Sequence, residues 1–362
     1  MVETTGWVES DDGTKLFLRR WRPGNPEDRA PDSGQPGSGP RAVVHVVHGM
    51  TEHSLRYRRL AERLCGQGFE VWAADMRGHG KTADPSVNGK GSGGLLGHTA
   101  DRDGFFRAVG DIELLTRHIS KTVNSGTHSA GSRRDEGSPL VYSTESHRDE
   151  GSPLDIPLFI LGHSWGSFLV QGYIETRDGS VPLSGCILSG TRGPGGAAVT
   201  LGVPFLALLA FFKGRRRPSK IAFALSMGSY NKPFKPNRTP VDWLSRDEGE
   251  VDAFLADPLC SQPCSSGFYR DMIGGLAAIH RKKAIARIDP ALPVYVFCGS
   301  ADPVGEMGGS PAKLVNAYRS LGIKDLEFVI YPDARHEPLN ETNREEVMED
   351  LQSWLLRHLK HP

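Results

Sequence analysis

Three residues spaced far apart in the chain have the types and order needed for acyl transfer. Ser164 stands in Gly162-His163-Ser164-Trp165-Gly166, between an apolar run and a second apolar stretch with helix-like spacing. Asp302 follows in Gly299-Ser300-Ala301-Asp302-Pro303, and His336 in Asp333-Ala334-Arg335-His336-Glu337. A hydroxyl, a carboxylate and an imidazole in the chain order Ser, acid, His can generate a nucleophile: the imidazole takes the hydroxyl proton and the carboxylate orients it. The pentapeptide alone decides little. With 43 glycines in 362 residues, a G-x-S-x-G should arise by chance on the order of half a time.

Context adds what the pentapeptide lacks. A nucleophile on a tight strand-to-helix turn needs small neighbours, since the turn is cramped and its serine strained. Leu158–Leu161 reads as a buried strand before Ser164, and a helical pattern follows it. Val294–Cys298 leads into Asp302 and Glu327–Tyr331 into His336, each a strand-like run. In a parallel sheet all three would emerge on one edge. Asp333 is a competing acid, but only three residues separate it from His336 in the same loop, so Asp302 is favoured. An oxyanion hole needs backbone N–H groups, one just after the nucleophile and one from the turn after an early strand. Trp165 supplies the first and Met50, in His48-Gly49-Met50-Thr51-Glu52-His53, the second. His48 reads as a brace for that turn.

The positioning elements alternate in type. Strands are expected at Lys15–Trp21, Ala42–Val47, Phe69–Asp75, Leu158–Leu161, Gly185–Ser189, Val294–Cys298 and Glu327–Tyr331. Helical patterns at Tyr57–Cys65 and Gly104–Thr122 lie among them. Short apolar strands alternating with helices predict an α/β fold with a mostly parallel sheet covered on both faces. Three segments break the rhythm. Residues 23–40, rich in Pro, Gly and charge, read as a flexible loop. Residues 123–155 repeat RDEGSPL at 134–140 and 148–154; too polar for a core, they read as a duplicated, poorly ordered surface insertion. Residues 191–287 hold no clear buried strand and read as a helical cap on the sheet's C-terminal edge, dividing a core of 1–190 and 288–362. Its segment LGVPFLALLAFF, 201–212, is very apolar and is followed by Lys213 and Arg215–Arg217. Leu201, Phe205, Leu206, Leu209 and Phe212 are the expected substrate-facing or membrane-resting side chains there; plain packing on the core competes evenly with that reading.

The composition narrows the partners. Lys plus Arg and Asp plus Glu number 43 each, with no basic tail, which argues against nucleic acid. No apolar run reaches the ~20 residues of a membrane span, and the N-terminus does not read as a secretory signal. The five scattered cysteines fit reduced thiols in a cytoplasmic protein, with contact to a membrane surface as the one exception. Cys260 and Cys264 lack a second pair at zinc-like spacing, so no metal is expected. Nothing in the chemistry calls for a cofactor.

The segments HGMTEHSLRY (48–57), DMRGHGKT (75–82), LGHSWGS (161–167), GSADPVG (299–305) and DARHEPLNE (333–341) together resemble the α/β-hydrolase superfamily. Within it they are similar to the monoacylglycerol lipase and bacterial lysophospholipase branch, grouped with the S33 serine aminopeptidases. The resemblance spans nearly the whole chain. It implies an α/β-hydrolase fold with Ser164, Asp302 and His336 as triad, Met50 and Trp165 as oxyanion donors, and 191–287 as cap. Trp165 stands where that branch usually has Met, which points to an altered acyl preference. The expected activity is hydrolysis of lipid-like esters, monoacylglycerol or lysophospholipid. The alternatives are small esters, amides, peptides or peroxyacids on the same triad and, last, a non-catalytic binder.

Overall fold

In a computed structural model the described residues are 1–24, 39–89, 93–124, 140–142, 156–195 and 197–359. Nine strands form one sheet: β1 Val2–Glu9, β2 Lys15–Arg22, β3 Val43–Val47, β4 Glu70–Asp75, β5 Leu140–Tyr142, β6 Leu158–His163, β7 Gly185–Ser189, β8 Val294–Gly299 and β9 Leu326–Tyr331. Their spatial order is β5-β1-β2-β4-β3-β6-β7-β8-β9. β1–β2 and β2–β4 are antiparallel and every other pair is parallel. Every strand expected from the sequence is present within a residue or two of its expected ends.

Two strands were not anticipated. β1, VETTGWVE, has no clear apolar alternation and is held by full antiparallel register on β2. β5 comes from the expected surface insertion; Leu140 pairs with Gly6 and Tyr142 with Val8. Three residues of that segment therefore add an edge strand. The remainder of the duplication, and most of the 23–40 loop, lie outside the described residues.

Strand alternation sends residues to opposite faces. Val44 and Val46 of β3, with Phe159 and Leu161 of β6, join one core beneath the helices Arg58–Gly66 and Arg344–Arg357. Val47 and Ile160 point the other way, into a core formed with helices Gly104–Asn124, Trp165–Thr176 and Ser266–Ile279. The first of these helices shows why it folds there: Phe105, Ala108, Val109, Ile112, Leu115 and Ile119 make one apolar stripe, all buried.

Strand order reverses between β3 and β6, so the loops after these neighbours open a crevice at the carboxyl edge of the sheet. Met50 and Ser164 lie in those two loops. Asp302 and His336 follow β8 and β9 on the same edge. Between β7 and β8 the described named elements are all helical, including Ala197–Lys213, Lys220–Ser226, Glu248–Ala256 and Ser266–Ile279.

Glu175, near the end of helix Trp165–Thr176, is a buried carboxyl. Burial pushes it up to about 9, only partly offset by the Arg287 charge. The folded chain thus keeps a proton that the unfolded chain releases above its ordinary value of 4.5, so stability falls as pH rises from there towards 9. Glu175→Gln should raise the melting temperature more at pH 8 than at pH 5. Equal gains at both pH values would contradict a neutral buried carboxyl.

Candidate active site

Ser164 has φ 51° and ψ −123°, a positive φ outside the ordinary range for a residue with a side chain. Such strain costs about 1–3 kcal/mol and must be held by its surroundings. The surroundings here are glycines and hydrogen bonds. A Cβ on Gly166 would lie 2.2 Å from the Val47 carbonyl oxygen and 2.4 Å from that of His48; one on Gly162 would lie 2.7 Å from Cα of Ser167. Both elbow glycines are therefore required by close backbone approach. The Ser164 N–H donates to the Ser189 carbonyl at 2.9 Å, tying the turn to β7.

The Ser164 hydroxyl lies 2.8 Å from Nε2 of His336, whose Nδ1 lies 3.0 Å from Oδ1 of Asp302. Asp302 is fully buried, and its Oδ1 also accepts the Val304 N–H at 2.9 Å. Asp333, the competing acid, is exposed at the far side of its turn, where its N–H donates to Ser300 Oγ. The structure therefore brings together the three residues expected. In the neutral tautomer the Nδ1–H donates to Asp302, leaving Nε2 to accept the serine proton. Burial by itself would lower the His336 pKa, but the Asp302 charge and hydrogen bond outweigh it and raise it above the ordinary 6.5.

The ring of His336 is flanked by His163 and Trp243, each 5.1 Å away between centroids. Burial drives His163 down to about 4, so it stays neutral beside the titrating imidazole. Trp243 and Leu244 also anchor the loop through their carbonyls, which accept the His336 and Glu337 N–H groups at 3.3 and 2.8 Å. The sequence offered no sign of this role, because a lone Trp in a Pro-rich stretch has no pattern.

Beneath the site lies a charged network. Arg56 donates to both oxygens of Glu337, at 2.8 and 2.7 Å, and to Glu52 at 2.8 Å. Glu52 in turn accepts from Tyr57 and from the Gly49 N–H. The turn that carries Met50 and the loop that carries His336 are thus joined through one guanidinium. His48 accepts the Met76 N–H at 2.9 Å on Nε2 and places Nδ1 2.7 Å from the Gly49 carbonyl, the bracing role expected of it. A Cβ on Gly49 would sit 3.1 Å from Cβ of Ser164, so the Met50 turn abuts the nucleophile directly. Among the described residues, neither the Met50 nor the Trp165 N–H makes a backbone hydrogen bond.

A cavity of about 60 Å³ opens on Ser164 and His336, walled by Met50, Phe223, Met227, Val241, Trp243, Leu244 and Phe254 among others. Two expectations change here. Trp165 is not one of the lining residues; it is 2% exposed, stacks on His79 at 5.0 Å and lies tilted against Phe268 at 5.1 Å. Its indole belongs to the core rather than to a substrate surface. Nor do Phe205, Leu206, Leu209 or Phe212 line the cavity. Their helix, Ala197–Lys213, packs on Ser266–Ile279 and buries Leu206, with Leu209 partly buried, while Phe205 and Phe212 face outward at 47% and 75% exposure. The side chain of Leu201 lies outside the described residues.

Comparison with known proteins matches residues 38–131 and 142–343 to the family of serine aminopeptidases, S33. The chain belongs to that family. It is a serine ester hydrolase with the α/β-hydrolase fold. It is 27% identical to a monoacylglycerol lipase of Mycolicibacterium smegmatis over 91% of this chain and 92% of that one. It is 26% identical to the monoglyceride lipase of Mus musculus, over 95% and 88%. A thermostable carboxyl esterase from Bacillus coagulans, solved with glycerol, superposes with a TM-score of 0.78 at 25% identity, covering 99% of both chains.

If His336 must be neutral to accept the serine proton, ester turnover should fall on the acid side with an apparent pKa above 6.5. Glu337 and Glu52 help raise that value. Glu337→Gln should move the limb to lower pH. An unmoved limb would show that the network does not tune His336.

Proposed function

We propose that the enzyme hydrolyses monoacylglycerol-type esters of apolar acyl chains through an acyl-enzyme on Ser164. The observation that carries this is the Ser164–His336–Asp302 relay opening into a cavity walled mainly by apolar side chains. His336 removes the hydroxyl proton as Ser164 attacks the ester carbonyl, and Asp302 steadies the imidazolium that forms. The Met50 and Trp165 amides receive the developing oxyanion, each donor contributing about 3 kcal/mol. His336 then protonates the departing alcohol, and water repeats the cycle on the acyl-enzyme. The lipase names of the relatives support the acyl class.

Residues 191–287 act as the cap over the core formed by 1–190 and 288–362, and supply six of the apolar walls named above. A cavity of about 60 Å³ is smaller than the roughly 150 Å³ that holds benzene in an engineered site. The cap must therefore shift to admit an acyl chain. Phe205, Leu208, Phe211 and Phe212, at 47, 57, 81 and 75% exposure, form its outward apolar face, a surface suited to rest on lipid. The basic cluster beside it contributes less than its sequence suggests, since Arg215 pairs with Asp271 and Arg216 with Asp101. Among the described residues no helix is long and apolar enough to cross a membrane.

Ser164→Ala should lower ester turnover by roughly a million-fold, into background, in a protein that still melts cooperatively. On a panel of p-nitrophenyl esters from C2 to C16 with monoacylglycerol and lysophosphatidylcholine, medium or long acyl chains and monoacylglycerol should be preferred. A sharp C2 optimum without lipid turnover would instead support the small-ester reading. Phe211→Glu with Phe212→Glu should reduce liposome binding while leaving turnover of a soluble short ester unchanged. Undiminished binding would remove the membrane contact.

A further inference from the structure

The walls of the active-site cavity meet at a second cluster that the acyl-transfer chemistry does not use. His53 ends the turn that carries Met50, and Asp257 and Cys260 lie in the segment after helix Glu248–Ala256. Although 204 residues apart, His53 Nε2 and Asp257 Oδ2 are 2.8 Å from one another, and the ligand atoms of His53, Asp257 and Cys260 all fall within 4.8 Å. His53 and Cys260 are buried, whereas the Asp257 side chain is 31% exposed and opens the cluster to solvent. Two further bonds fix the geometry. The Cys260 N–H donates to the Asp257 carbonyl at 3.0 Å, and the Ser261 N–H donates to the Thr51 carbonyl at 3.0 Å.

We propose that His53, Asp257 and Cys260 bind a soft divalent cation of the Zn²⁺ type, which clamps the cap segment to the oxyanion turn. Imidazole nitrogen, carboxylate oxygen and thiolate sulfur are the three ligand classes zinc takes, and three protein ligands leave a fourth position for water. Around a tetrahedral zinc such atoms stand about 3.5 Å apart, so the ion opens the 2.8 Å His53–Asp257 contact to about that distance and sets the Cys260 sulfur at a similar spacing. Binding is balanced by one proton: the Cys260 thiol becomes a thiolate on the metal and releases its proton to solvent. His53 binds through Nε2 in the tautomer that carries its proton on Nδ1, and Asp257 exchanges its hydrogen bond to His53 for a bond to the metal.

The position gives the ion a consequence. Phe254 and Ser261, which bracket the ligand pair, line the cavity from the cap side, and Met50, Thr51 and Glu52 line it from the core side. A cation bonded to both walls holds the small cavity closed. It thus slows substrate entrance without touching Ser164, His336 or Asp302. This goes beyond the acyl-transfer reading, and its primary readout is metal binding rather than turnover.

The test uses chelator-treated full-length protein titrated with Co²⁺ and then Zn²⁺. A single equivalent of Co²⁺ should produce a near-ultraviolet thiolate-to-cobalt band that Zn²⁺ bleaches, and Zn²⁺ should slow ester turnover until EDTA restores it. Cys260→Ser should keep basal turnover, lose the band, bind Zn²⁺ about 10–100-fold more weakly or worse, and escape the inhibition. Asp257→Asn, which leaves the buried thiol in place, should retain a band at reduced affinity. The site is overturned if wild-type protein shows no band, if Cys260→Ser keeps it, or if Asp257→Asn binds with unchanged affinity. The clamp is overturned if Zn²⁺ binds without slowing turnover, or slows Cys260→Ser equally, which would place the inhibiting ion on the triad.

Discussion

Ser164 is held at a positive φ where the helix after it passes too close to β6 for a side chain at Gly162 and too close to the end of β3 for one at Gly166. This packing constraint carries the rest of the structure. It throws the hydroxyl out over the carboxyl edge of the sheet, at the point where strand order reverses. Among the described residues, the first amide of the following helix, that of Trp165, makes no backbone hydrogen bond. Strain of a few kcal/mol is tolerated since β6 and its neighbours β3 and β7 are buried along their whole length. A looser sheet could not hold the elbow in that conformation.

The partners of Ser164 arrive from separate loops, and electrostatics keeps those loops in register. Arg56 is bound to Glu52 in the Met50 turn and to Glu337 on the histidine side. Burial alone would push the Glu337 carboxyl up, yet the Arg56 charge holds it at about 2. Removing one member would leave an uncompensated buried charge, which costs about 3–5 kcal/mol in such settings. The network therefore ties loop position to the charge state that raises the His336 pKa. The segment 241–244 adds the third support, through backbone bonds to His336 and Glu337 and the Trp243 ring.

Much of this site was legible in the sequence, and the reasons differ residue by residue. Ser164, Asp302 and His336 could be found because each follows its own apolar strand, and a parallel sheet turns that spacing into a shared edge. Met50 was legible for the same reason. Trp165 was legible only as an amide: nothing in one dimension shows that its indole stacks on His79, 86 residues earlier in the chain. The cap helix was legible as an apolar segment, but which of its side chains pack and which face outward was not. Its residues are apolar nearly all round, so periodicity could not tell the face that packs on Ser266–Ile279 from the face left exposed. The walls at Phe223, Met227, Trp243 and Phe254 come from a segment whose Pro and Gly content hides any period. The nearness of Cys260 to His53 and Asp257 was likewise hidden, because its partners are not at zinc-like spacing along the chain.

The proposed chemistry requires that the Ser164 hydroxyl oxygen become acylated, with His336 as the base that makes it reactive. The most direct measurement is peptide mass spectrometry after treatment with an alkyl fluorophosphonate, which phosphonylates only an activated serine. A single adduct is expected on the peptide holding Ser164, lost in His336→Ala while that variant stays folded. An adduct on another residue, or one on Ser164 formed at the same rate without His336, would contradict it.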